Sequence, residues 1–141
     1  MTLDLTSLKK AIDSLERCLA AANEIAKAGT GNANVVEGLR AGVIQNFEVT
    51  YEQSWKFIQR WIRENKSPDD ADNPRTRKDL FRMAARYGLI DDPNPWFSYG
   101  DARNLTSHAY NSEQAAAVYE SARLFLPDAK ALLARLGSLH D

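Results

Sequence analysis

Leu5, Leu8, Ile12, Leu15, Leu19, Ala22 and Ile25 follow one another three or four residues apart. That spacing puts them on one side of an α-helix and on no single face of a strand. A helix carrying such a stripe needs a partner to cover it. Gly29 to Asn34 (Gly-Thr-Gly-Asn-Ala-Asn) supplies a turn. A longer helix is predicted from Val35 to Lys66, with Val36, Leu39, Val43, Phe47, Tyr51, Ser54, Trp55, Ile58 and Ile62 facing inward. Trp61 either widens that face or meets a partner. The short connection makes the two helices antiparallel neighbours.

Ser67 to Pro74 reads as a loop from its Pro, Asp and Asn content. Thr76 to Tyr87 reads as a short helix with Leu80, Phe81, Met83, Ala84 and Tyr87 inward, closed by Gly88. Asp91 to Pro95 is a second breaker, after which Trp96, Phe97 and Tyr99 anchor the next segment to the core. Asn111 and Gln114 fit a capping box for a last helix, with Ala115, Val118, Tyr119, Ala122, Phe125 and Leu126 as its apolar face. Pro127 either kinks that helix or begins another, and Leu132, Leu133 and Leu136 carry the pattern on. The expected fold is all-α, an up-and-down bundle of four to five helices in one domain over residues 1–141.

Composition removes several function classes. No apolar run approaches the roughly 20 residues that span a bilayer, and no secretory signal is visible, so the expected location is cytoplasmic. Cys18 is the only cysteine, among Leu15, Leu19 and Ala22, and is read as packing. One cysteine and two histidines without clustered carboxylates make no recognisable metal site, so neither metal nor cofactor is expected. The formal net charge is -1, but Lys56 to Arg86 holds nine basic residues against five acidic ones. Such a stretch offers a path for a polyanion, with Arg75, Arg77, Lys78 and Arg82 as candidate substrate-binding residues. Taken alone, it is more often a solvated helix face, and Asp69, Asp70 and Asp72 weaken the polyanion reading.

The chemistry-bearing stretch is Asp101 to Tyr110, Asp-Ala-Arg-Asn-Leu-Thr-Ser-His-Ala-Tyr. Arginine grips phosphate through paired donors and keeps its charge. Histidine exchanges a proton near neutral pH. On a continuous helix, Arg103 and Tyr110 would lie roughly 20° apart, and Asn104 and His108 about 40° apart on the adjoining strip. All four would then face one cleft. Without further context, a hydrogen-bonded histidine and a solvated arginine are the commoner explanation of such a pair.

The string Arg103-Asn104-x-x-x-His108-x-Tyr110 resembles the signature of HEPN-domain proteins, and its tyrosine resembles the version in HEPN toxins paired with minimal nucleotidyltransferases. Upstream, Phe47-Glu48-x-Thr50-x-Glu52-x-x-Trp55-Lys56 resembles a motif of nucleotidyltransferase substrate-binding proteins. The match in helix order extends over nearly the whole chain. The resemblance implies a homodimer in which the Arg-to-His segments of two subunits meet at a shared cleft. It implies a metal-independent endoribonuclease acting on an RNA substrate, silenced by a minimal nucleotidyltransferase antitoxin that transfers AMP to the tyrosine, here Tyr110. An older view of the family gives the alternative, a non-catalytic substrate-binding subunit of a two-component nucleotidyltransferase.

The residues accommodate the nuclease. Two copies of His108 would serve as base and acid, and two of Arg103 would hold the scissile phosphate. Asn104 would orient His108 or bond the phosphate, and an adenylylated Tyr110 would block RNA by bulk and charge. Aromatic surface from Trp96, Phe97 or Trp61 would be buried between subunits. The chain does not read as the transferase itself. That enzyme pairs a Gly-Ser turn with a following Asp-x-Asp, whereas here Gly137-Ser138 lies near the end of the sequence and Asp70-Ala71-Asp72 lies far upstream. A purely structural helical dimer is the third possibility.

Overall fold

The computed structural model describes residues 3–29, 31–106 and 112–139, and among these every regular element is a helix. The helices are α1 (Thr6–Ala28), α2 (Ala33–Asn65), α3 (Pro68–Asp72), α4 (Arg77–Arg86), α5 (Pro93–Leu105) and α6 (Ser112–Ser138). The all-α expectation therefore holds, with one short helix more than the sequence suggested.

Each start has a local cause. Asn32 accepts from the Val35 amide at 2.9 Å and opens α2 two residues ahead of the predicted start. Ser67 accepts from the Asp70 amide, Thr76 from Asp79 and Asp92 from Asn94. These caps satisfy amides that have no partner inside the helix. The expected loop from Ser67 to Pro74 is thus corrected to a short helix: Ser67 caps it, and Pro68 suits a first turn, where its missing amide costs nothing. Pro93 likewise begins α5 inside the predicted Asp91–Pro95 breaker. Gly29 (φ 64°) and Gly88 (φ 81°) close α1 and α4 in the left-handed region that glycine enters without a Cβ clash. Pro127 does not begin a fresh helix, since α6 runs through it. The capping role read into Asn111 lies outside the described residues.

α2 is the spine, packed against all five other helices. Its pairing with α1 is antiparallel: Ser7 meets Gln53, the Thr50 hydroxyl lies 3.2 Å from the Ala11 carbonyl, and Asn46 donates to Cys18 Sγ. Phe125 of α6 is the aromatic hub. It stands edge-on to Phe47 (5.2 Å), Tyr99 (5.1 Å) and Trp96 (5.5 Å), joining α2, α5 and α6. Edge-to-face rings are directional as well as apolar, so they fix the angle of α5 against α2. Tyr99 adds hydroxyl bonds to the Leu124 carbonyl and to Asp128, and burial followed by that carboxylate pushes its pKa up.

Three expectations change. Val36, placed in the buried stripe, is 36% exposed, because the first turns of α2 lie beside a shallow groove rather than under a helix. Trp61 and Trp96, offered as dimer surface, are 3% and 2% exposed within one chain. The Trp61 indole donates to the Leu139 carbonyl at 2.7 Å, and Trp96 stacks in the aromatic core. Of the three proposed interface rings, Phe97 alone stays half-buried.

Candidate functional site: an arginine held by two glutamates

α5 carries Arg103 and Asn104 in its last turn and ends at Leu105, with Thr106 as its C-cap. Of the helix expected over Arg103 to Tyr110, α5 covers Arg103 to Leu105, and the part beyond Thr106 lies outside the described residues. The Thr106 hydroxyl lies 2.7 Å from the Arg103 carbonyl and 2.7 Å from Glu48 Oε2, and so ties the helix end to α2. His108 and Tyr110 lie outside the described residues, as does the sequence between them.

Arg103 points at α2. Its Nε donates to Glu52 Oε1 at 3.0 Å, and its Nη1 is 3.4 Å from Glu48 Oε2. Glu48 and Glu52 are four residues apart, one turn along the same helix face. Two carboxylates in that relation repel each other, and the guanidinium between them removes the penalty. Side-chain exposures of 25% for Arg103, 36% for Glu48 and 27% for Glu52 leave all three within reach of a solute.

A second arginine joins the cluster. Arg77, the first residue of α4, places its Nη1 3.7 Å from the same Glu52 Oε1 and its guanidinium 4.3 Å from the centre of the Trp55 ring. Trp55 in turn donates from its indole nitrogen to Glu52 Oε2 at 2.8 Å. The upstream motif thus has a physical sense. Phe47 is core, buried Thr50 bonds the Asn46 carbonyl and reaches α1, and Glu48, Glu52 and Trp55 hold two arginines from α5 and α4.

Asn104, one position on, looks toward α4. With Arg77, Lys78, Arg82, Phe97 and Gly100 it lines a groove of about 330 Å³ between α4 and α5. Three of the four basic candidates meet there. Arg75 is exposed in the turn before α4 and is not among the groove's lining residues. Carboxylates already occupy part of the basic stretch, with Arg63 paired to Asp72 at 2.7 Å and the groove's own Arg82 to Asp79 at 2.8 Å. Asp70 accepts from the Tyr87 hydroxyl, so Asp70-Ala71-Asp72 has a packing role, with Ala71 buried between its acids.

Glu48, Glu52 and Thr106 were not among the candidate site residues from sequence. The pair of glutamates at helical spacing was the available signal, but nothing local says that their partner lies some fifty residues on.

The fold and this cluster define a helical bundle that displays a carboxylate-held arginine next to a cationic groove. The chain belongs to the family described as nucleotidyltransferase substrate binding protein like, whose model matches residues 3–138. It is similar to a Haemophilus influenzae protein named probable ribonuclease HepT, with 37% identity over 134 residues, 95% of this chain and 92% of that one. Among solved structures it resembles a Haemophilus influenzae protein described as revealing the fold of a substrate binding domain of a nucleotidyltransferase. The TM-score is 0.86 at 36% identity, covering 94% of this chain and 98% of that one. A Thermus thermophilus protein matches with TM-score 0.59 and 28% identity over 86% of this chain and 98% of its own. The family resemblance drawn from the two motifs is borne out.

Proposed function

We propose that the chain is a HEPN-type toxin, a metal-independent endoribonuclease that works as a homodimer and is silenced by a nucleotidyltransferase antitoxin. The observation that carries this reading is Arg103, fixed at the end of α5 by Glu48 and Glu52 yet open to solvent. An arginine that must meet a phosphate in one orientation needs supporting groups that hold it there, and the two carboxylates supply them. The similarity to a protein named probable ribonuclease HepT supports the same reading.

In the proposed reaction, one His108 takes the proton of a ribose 2'-hydroxyl, and that oxygen attacks the neighbouring phosphorus. The bond to the 5'-oxygen breaks, and the second His108 protonates the leaving oxygen. The products are a cyclic phosphate and a free 5'-hydroxyl. The Arg103 pair neutralises charge growing on the phosphoryl oxygens. One subunit supplies one copy of each residue, so the scheme requires two, with residues 1–141 acting as a single domain. AMP added to Tyr110, in the same short stretch of sequence as Arg103 and His108, would oppose RNA by bulk and charge.

Purified protein freed of its antitoxin is expected to cut single-stranded RNA in the presence of a chelator. Arg103→Ala and His108→Ala should be inactive yet still dimeric by sedimentation. Incubation with the cognate transferase and ATP should add one or more AMP masses to the wild type and none to Tyr110→Phe. Equal cutting by wild type and His108→Ala would end the nuclease reading.

A second reading, a non-catalytic substrate-binding subunit of a two-component nucleotidyltransferase, draws on the groove beside Asn104, whose size suits a nucleotide. It expects tight co-purification with a transferase and no RNA cleavage at high protein concentration.

A further inference from the structure

We propose that the groove between α4 and α5 is a subsite for the RNA phosphate next to the one being cut, with Arg77 as its principal contact. The inference rests on the nuclease reading above and adds to it where the strand runs.

The argument begins at Glu52. One of its oxygens, Oε1, lies 3.0 Å from Arg103 Nε and 3.7 Å from Arg77 Nη1. The two guanidinium groups are therefore neighbours across a single atom, although 26 positions separate them in sequence. A strand that lays one phosphate on Arg103 brings an adjacent phosphate to Arg77 without leaving the surface. Arg77 is also held ready. Trp55 supports its face, Glu52 takes one edge, and the Trp55 indole fixes Glu52 in turn. An arginine ordered in advance loses less side-chain freedom when an anion arrives.

The groove continues in the same character. Lys78 and Arg82 lie 5.6 Å and 5.1 Å from the centre of the half-buried Phe97 ring, which keeps both cations over the groove floor. Asn104 adds an amide on the α5 side. Asp101 also lines the groove, and Arg82 and Arg77 already lie against Asp79 and Glu52, so an incoming phosphate has to share these guanidinium groups with carboxylates, through donors that those pairs leave open. Glycine at position 100 lets α5 come this close: a Cβ there would meet the Tyr51 hydroxyl at 2.8 Å. The Arg77 guanidinium lies 5.7 Å from the centre of the same Tyr51 ring, so the groove wall and the arginine are neighbours.

The test uses the full-length chain carrying His108→Ala, so that RNA binds without being cut, and an unstructured single-stranded RNA oligonucleotide with a fluorescent end label. Affinity is measured over a range of salt for this protein and for versions that add Arg77→Gln, Lys78→Gln or Lys27→Gln. Lys27 sits at the far end of α1 and serves as the control. Arg77→Gln and Lys78→Gln are each expected to weaken binding several-fold. Each should also flatten the slope of log affinity against log salt by about 0.7, the value for one phosphate contact to a single strand. Lys27→Gln should leave both unchanged. Unchanged affinity and slope in Arg77→Gln and Lys78→Gln would overturn the proposal, as would an equal loss in Lys27→Gln. Loss of transferase co-purification with RNA binding intact would assign the groove to the protein partner and overturn it too. Wild-type cleavage, scored separately, tells failure of the groove from failure of the nuclease: a flattened slope without cleavage keeps the first and removes the second.

Discussion

Arg103 has two tasks that pull against each other. Its charge must be available to a phosphate, and its position must not wander. Glu48 and Glu52 resolve this by holding Nε and Nη1 from one side, and a guanidinium has more donors than those bonds use. Half-exposed ion pairs of this kind stabilise a fold by only about 0–1 kcal/mol. Glu52→Gln should therefore leave the melting temperature almost unchanged. The same substitution should cut RNA cleavage by about tenfold or more, because the reacting phosphate loses its fixed partner. Thermal melts and initial rates on one preparation check both halves. A large stability loss with unaltered turnover per folded molecule would make Glu52 a structural residue. Sequence alone could nominate Arg103, since an arginine near a histidine is locally visible. It could not connect Arg103 to Glu48 and Glu52, because a pairing of this range is made by the fold and leaves no spacing rule behind.

The same limit operates among the elements. The stripes of α1 and α2 are long enough that three-and-four spacing identifies them, and their antiparallel pairing follows from a short turn. α3 is not legible in this way. Five residues barely complete a turn, and Ser67 with Pro68 signals a loop and a helix start equally well. Pro93 and Pro95 raise the same ambiguity at α5. The sequence reading left Trp61 and Trp96 open to both core and interface because aromatic clusters serve either, and the choice of core depends on helices that are distant in the chain. The approach of α5 to α2 gives a test at this scale. Gly100→Ala gains a little helix propensity, below about 1 kcal/mol, but its methyl meets a Tyr51 ring locked among Phe47, Phe81 and Phe125. Overpacking of a tight site costs about 1–3 kcal/mol, so the net effect should be destabilising. Denaturant unfolding of Gly100→Ala against wild type measures it; a more stable variant would show that the helices can separate freely there.

At the scale of the whole molecule, one chain buries its own aromatic core and displays one anchored, partly exposed guanidinium, and the proposed nuclease requires a second. Since Trp61 and Trp96 are buried within the subunit, the proposed dimer has to be assembled from other surface, and the nuclease reading puts that surface around Arg103. The measurement that bears most directly on this is activity in mixed dimers. Wild type and His108→Ala should be unfolded together, refolded at equal amounts, and compared with wild type alone on single-stranded RNA. If each cleavage needs both histidines of a twofold pair, about a quarter of the mixed dimers are fully competent, and activity per wild-type chain falls to about half. Activity that simply tracks the amount of wild-type chain, unaffected by the inactive partner, would contradict a cleft shared between two subunits.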